Sequence, residues 1–275
     1  MPKEPLVIIE PRKAWVAIDL RDLWNYRELL YFLAWRDLKV RYKQTAFGVL
    51  WVVMQPALMT LIFTIFLGKI ARVPSMGQVP YALFAYSGLL LWTFFSGTIS
   101  VGSLSLLGNA HLITKIYFPR LIIPGAVIGG RLVDLLISCV LLVILMFHYR
   151  IEVTWSVLFV PIFLALLVLF ALGFTMLTSA LIVKYRDVGI ALPVLIQLWM
   201  FASPIVYPLG LVPAQWRRLY SLNPLVGILE GVRASLFNTE FDRWAITVSA
   251  VSTIILLMCS AYIFRRIEKG FVDII

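Results

Sequence analysis

Long apolar runs separated by short polar intervals dominate the 275-residue chain. A bilayer core of about 30 Å takes roughly 20 mostly apolar helical residues per crossing. That ruler predicts six transmembrane helices, at 49–70, 81–107, 121–147, 155–183, 188–207 and 244–264.

Two further segments carry helical patterning without the length to cross. Over 20–43, Leu23, Tyr26, Leu30, Phe32 and Leu33 recur near helical spacing among Arg21, Asp22, Arg27, Glu28, Arg36 and Asp37. This predicts an amphipathic helix lying in the membrane interface, the alternative being a solvated lead-in. The interval 209–243 is long for a connection, and long loops tend to be functional. Pro213 can start one short helix there, and Asn223 with Pro224 forms an N-cap and first-turn pair for a second. Leu225, Ile228, Leu229, Val232 and Leu236 share a face of that second helix, with Glu230 and Arg233 off it. The fold expected is therefore an all-α membrane protein with an N-terminal interface helix, six spans, and two short re-entrant helices between spans five and six.

Composition narrows the class. Hydrophobic residues make up 61% of the chain and charged ones 14%, against roughly 45–50% and 25% in soluble domains. A soluble enzyme, a secreted disulfide scaffold and a disordered chain are excluded. Cys139 and Cys259 lie inside apolar runs and are expected to be buried thiols. Of the basic residues, 16 fall on the side of the two chain ends, seven on the other, and Arg131 inside a span. The positive-inside rule then makes both termini cytoplasmic in a multi-pass protein. It divides the chain into a cytoplasmic segment (1–48), a six-span domain (49–264) and a cytoplasmic tail (265–275). No signal-peptide core precedes residue 49, so the first span is expected to act as its own insertion signal.

Intramembrane chemistry needs ionisable groups at depth. Inside the spans, apart from Lys69 at the very end of the first, stand only Arg131 and Asp134, three apart on one helix face and expected to neutralise each other, as a packing device or a functional pair. His111 and His148 fall in loops, and no paired carboxylates or Cys/His cluster for a metal occur. The chain also lacks a phosphate-binding loop. These absences favour a permease subunit powered by a separate ATPase, with a passive channel as the rival. No nucleic-acid partner is expected. The loop 108–120, GNAHLITKIYFPR, is the longest cytoplasmic connection, and is either the element an ATPase pushes or a plain loop. Asn109 can cap a short helix there and Pro119 ends it.

Five phrases together resemble the membrane subunit of bacterial type-2 ABC exporters for polysaccharides, the O-antigen, capsule and teichoic acid permeases. They are RYKQTAFGVLWVVMQPAL (41–58), KIYFPRLIIP (115–124), YRDVG (185–189), SPIVYP (203–208) and NPLVGILEGVRASLF (223–237). The resemblance implies two copies of this chain in the bacterial inner membrane, above two Wzt-like ATPase subunits that bind ATP and Mg. It implies no cofactor in this chain and a polyprenyl-diphosphate-linked polysaccharide, O antigen first, as cargo. It further implies a coupling helix at Asn109, Ala110, His111, Leu112, Ile113, Lys115, Tyr117, Pro119 and Arg120, and an ATPase-clasping interface helix over 20–43.

With that cargo in view, Arg36, Lys39, Arg41 and Lys43 offer cations to a lipid diphosphate, the competing role being orientation and contact with anionic membrane lipid. Trp51, Phe63, Phe66, Trp92, Phe95, Trp199, Phe201 and Tyr207 are candidate sugar-stacking rings of a channel, or else lipid-facing or core residues. Gly97 with its serine neighbours, and the Gly125/Gly129 pair, are expected to pack the second span on the third. Pro56 frees a backbone carbonyl and permits a bend in the first span.

Overall fold

In a computed structural model of the chain, the described residues are 24–43, 45, 47–77, 79–268 and 271, so the predicted interface-helix positions 20–23 and most of the tail 265–275 lie outside them. All regular elements among them are helical: α1 (Arg27–Tyr42), α2 (Leu50–Phe63), α3 (Tyr81–Gly102), α4 (Ser105–Gly108), α5 (Ala110–Lys115), α6 (Ile122–His148), α7 (Val160–Lys184), α8 (Asp187–Phe201), α9 (Ala214–Tyr220), α10 (Pro224–Phe237) and α11 (Arg243–Glu268). A π-helical stretch, Thr64–Ile70, extends α2, and 3₁₀ turns at Trp155–Phe159 and Leu209–Leu211 precede α7 and α9.

Among the described residues, five helical segments are long and apolar enough to cross a bilayer: Leu50–Ile70, Tyr81–Gly102, Ile122–His148, Trp155–Lys184 and Arg243–Glu268. α3 is the centre of the bundle, with 78% of its apolar stretch buried, whereas α2 is peripheral at 11%. Around α3 pack α2, α6 and α7, and α11 lies along α7 and α10. Phe95 of α3 is fully buried, stacked on Phe170 at 5.3 Å and edge-on to Trp199 at 5.3 Å.

The predicted span at 188–207 is a 15-residue helix, α8, followed by irregular backbone. At 1.5 Å per residue α8 reaches about 22 Å, short of the ~30 Å core. Irregular backbone at such depth is tolerated only where its polar groups find partners inside the protein, and here side chains supply them. Asn223 Nδ2 donates to the Ala202 carbonyl (3.0 Å), Tyr207 to Phe201 (2.7 Å) and Tyr81 to Val206 (2.6 Å). Arg233 donates to both Pro204 and Ile205, each at 2.6 Å.

That role corrects the placing of Glu230 and Arg233 off the buried face. Leu225 through Phe237 are all buried, Arg233 completely, with its guanidinium 3.8 Å over the Phe84 ring and 3.2 Å from Glu230. The charge is held inside because the unwound carbonyls need a donor with several N–H groups. α10 is thus a core helix. Its start follows the expected pattern: Asn223 Oδ1 accepts the Leu225 N–H at 3.1 Å.

Two packing expectations also change. Gly125 and Gly129 do not receive α3; they admit α1, with Leu30 and Ala34 each 3.5 Å from where a Cβ would stand. α1 therefore lies on the first turns of α6, closer to it than a bulkier face would permit. Gly97 of α3 does face α6, where it leaves room for the Arg131 guanidinium. Cys139 is partly buried, whereas Cys259 is exposed on the outer face of α11.

Candidate functional site

Where α1 ends against the bundle, a cavity of about 250 Å³ opens between α1, α2, α3 and α6. α6 contributes Arg131, Asp134 and Ser138, one helical face at three- and four-residue spacing. α2 contributes Trp51, Gln55 and Pro56, and α3 contributes Thr93. The last turn of α1 brings Arg41 and Tyr42, both of which hydrogen-bond Asp134. Arg131 lies nine residues into α6, about 14 Å at 1.5 Å per residue.

The expected neutral pair is therefore a four-residue cluster. Asp134 is 3.5 Å from Arg131 but is held more closely by Arg41 and Tyr42, more than 90 positions away in sequence. Two guanidiniums share one carboxylate, leaving a net positive hollow. Arg131 Nε is buried and has no partner among the described residues. Burial, followed by the bond to Asp134 and that carboxylate's charge, pushes the Tyr42 hydroxyl up to about 12, so it stays a donor at ordinary pH.

The other predicted cations separate. Arg36 pairs with Asp37 at 2.9 Å and bonds Asn109 Oδ1 at 3.0 Å, so it ties α1 to the loop 108–120. Lys39 and Lys43 are exposed.

The loop forms α5, six residues long, as the sequence predicted, but Asn109 does not cap it with its side chain. Asn109 instead donates to the Ser105 carbonyl at 2.8 Å and accepts from Arg36. Ile113 and Phe118 are buried with Leu33 of α1, Phe264 of α11 and Phe271 in one apolar cluster. Arg120 bonds the Glu268 carbonyl and lies 5.6 Å over the Phe271 ring. Ala110 and Leu112 are half-buried, while His111, Lys115 and Tyr117 remain exposed; Pro119 ends the turn before α6. The described parts nearest both chain ends thus meet at one end of the bundle.

The aromatic candidates also divide. Phe95 and Trp92 are buried in the protomer's core, and Trp199, Phe63 and Tyr207 are partly buried. Trp51, Phe66 and Phe201 stand exposed on the surface.

A bundle of apolar spanning helices with an internal charged hollow and a compact polar loop at one end defines a multi-pass membrane protein. The chain matches the ABC-2 type transporter family over residues 28–237 and belongs to it. It is 28% identical over 257 residues to the O-antigen export system permease protein RfbA of Myxococcus xanthus, covering 92% of this chain and 98% of that one. A Klebsiella pneumoniae RfbA permease is 28% identical over 250 residues, 90% and 95% of the two chains. The polysialic acid transport protein KpsM of Escherichia coli is 22% identical over 250 residues, 86% and 92% of the two.

Proposed function

We propose that this chain is the permease subunit of an ATP-driven exporter that moves lipid-linked polysaccharide, O antigen first, out of the cytoplasm. The observation that carries the reading is the near end-to-end match with permeases named for O-antigen export. Two copies would pair in the bacterial inner membrane, with two ATPase subunits below. The chain is not an enzyme; the ATPase is a separate subunit in this family.

In this reading there are six crossings, the fifth being α8 completed by the backbone 202–208. Six crossings return the chain to its starting side, which accords with α1 and Phe271 sharing one cluster. The basic excess makes that side cytoplasmic. α5 would then receive the ATPase stroke through its exposed His111, Lys115 and Tyr117. The stroke would pass to α1 through Arg36–Asn109 and to α11 through Arg120. Trp51, Phe66 and Phe201, exposed in one copy, are the rings still open to face a channel between two.

The test is complementation of a strain deleted for this subunit. The full chain with its partner ATPase should restore surface polysaccharide, and an ATPase-dead partner should not. Polymer passage without ATP hydrolysis would sink the reading in favour of a passive channel. Capsule is the second reading, favoured by KpsM and by the capsule polysaccharide export protein CtrC of Neisseria meningitidis, 22% identical over 268 residues.

A further inference from the structure

α9 and α10 follow one another in the chain but meet different surroundings. Leu225 through Phe237 of α10 are all buried, whereas no residue of α9 is. Tyr220 is the residue of α9 that turns toward the protein: its hydroxyl shares a hydrogen bond with that of Tyr207 at 2.6 Å, and its ring packs beside Leu209 and Val226. Trp216 and Leu219 stand four and one residues before Tyr220 on the same helix face, and each is more than half exposed. Arg217 and Arg218 lie off that face, both exposed, and neither is paired with a carboxylate among the described residues. α9 is therefore a short amphipathic helix with an apolar side and a doubly cationic one.

Its level in the membrane follows from its neighbours. Ser156 donates to the Ser235 carbonyl at 2.9 Å and Ser249 to the Pro224 carbonyl at 2.6 Å, so α10 gathers the starts of two spanning segments at the end of the bundle where α9 lies. Each of these segments opens near an exposed tryptophan, Trp155 and Trp244. Tryptophans at the ends of spanning helices mark the boundary between headgroups and acyl chains. The exposed side of α11 beyond that boundary, at Val251, Ile254, Ile255 and Met258, is apolar and uncharged, as acyl chains require. Tryptophan and leucine on one side of a helix with arginines on the other suit the boundary itself.

We propose that α9 docks on the outer leaflet of the bilayer, with Trp216 and Leu219 among the acyl chains and Arg217 and Arg218 binding the phosphate of an anionic phospholipid. The inference rests on the six-crossing reading that puts this end of the bundle outside, and adds what holds a helix that the protein itself covers so little. Guanidiniums bind phosphate oxygens through charge-assisted hydrogen bonds. Each cation near an anionic surface contributes about a factor of five in affinity. A zwitterionic headgroup carries its own ammonium beside the phosphate, so the arginine pair selects for the anionic lipid.

The test places the complete permease–ATPase complex in phosphatidylcholine nanodiscs with increasing fractions of brominated phosphatidylglycerol or brominated phosphatidylcholine, whose bromines quench tryptophan on contact. The emission of Trp216 is the difference between wild type and Trp216→Phe. Both lipids should quench it, phosphatidylglycerol at a fraction lower by about tenfold or more. Replacing both arginines, Arg217→Gln with Arg218→Gln, should bring the two lipids to parity and leave the quenching in place; added salt should do the same. Both side chains are exposed, so the double variant should assemble as the wild type does. Equal quenching of the wild type by the two lipids, or a preference that survives the double variant, overturns the proposal. So does absence of quenching by either lipid, the result expected if a second copy or another protein covered α9. In a Cys139→Ser, Cys259→Ser background, a maleimide that cannot cross the membrane should label Gln215→Cys in intact spheroplasts; labelling only after lysis overturns the outer-leaflet assignment. Surface polymer is scored separately in cells. Intact export with Trp216 untouched by lipid refutes the docking and spares the exporter reading. Docking as described with no polymer exported by the wild type refutes the exporter reading.

Discussion

The Ser138 hydroxyl of α6 donates to the Val52 carbonyl of α2 at 3.2 Å. Val52 is the residue whose helical partner would be the N–H at position 56, and Pro56 has none. Ser138 thus covers the carbonyl that the proline leaves open, while its own carbonyl accepts from Tyr86 of α3 at 2.9 Å. Three helices are pinned together at the wall of the charged cavity.

Ser138→Ala should therefore cost about 1–2 kcal/mol, the desolvation of an unmet carbonyl. Pro56→Ala restores an N–H to Val52, so the double variant should recover most of that loss. Thermal unfolding of the four proteins of this cycle in detergent measures the coupling. Additive losses would show that Ser138 does not serve that carbonyl.

Gly129 governs how closely α1 lies on α6. Gly129→Ala adds a Cβ at ordinary contact distance, 3.5 Å from Ala34, and should be tolerated. Gly129→Leu should push α1 off, separating Arg41 from Asp134. A cysteine pair at positions 34 and 129 would read this out, cross-linking in an otherwise native background; in the leucine case the pair moves to 30 and 125, where cross-linking should fall.

Arg233, fully buried, meets three backbone carbonyls, Glu230 and the Phe84 ring. Arg233→Met should cost about 3–5 kcal/mol by leaving Glu230 and the unwound carbonyls unpaired. Expression yield and melting temperature would report it. Pairing Arg233→Met with Glu230→Gln should recover only part, because the carbonyls stay unmet.

Lys115 and Arg120 should separate in behaviour. Lys115→Glu alters an exposed side chain and should change ATPase stimulation without lowering the melting temperature. Arg120→Glu removes the bond to Glu268 and the contact over Phe271, and should lower both. Equal melting temperatures for the two would contradict the anchoring role of Arg120.

Tyr42 titrates from about 12 in the folded chain against 10.0 ordinarily. Below pH 10 it is protonated in both folded and unfolded states, so its contribution is fully present there. As pH rises from 10 toward 12, the unfolded form ionises first and stability is lost. Melting temperature followed across pH 9–12 should fall more steeply for wild type than for Tyr42→Phe.

Sequence alone determined what depends on local order. Runs of apolar residues long enough for a bilayer, the Asn223–Pro224 helix start, the short helix in the loop 108–120 and the family resemblance are all readable along one stretch of chain. The break that follows α8, where the sequence predicts a continuous span, was only half readable. SPIVYP ends a helix by its prolines, but the donors that make the break tolerable come from Tyr81, Asn223 and Arg233, far away in sequence. Arg233 looked like a residue for the polar face, because helical periodicity knows nothing of carbonyls on a neighbouring segment. The Arg131–Asp134 spacing was visible and Arg41 was visible, yet nothing local joins them. Only the tertiary structure decided that α1 lies in the groove left by Gly125 and Gly129, and that packing delivers Arg41 and Tyr42 to Asp134. Spacing along the chain sets which residues share a helix face; close approach between faces, a property of the folded bundle, sets which charges meet.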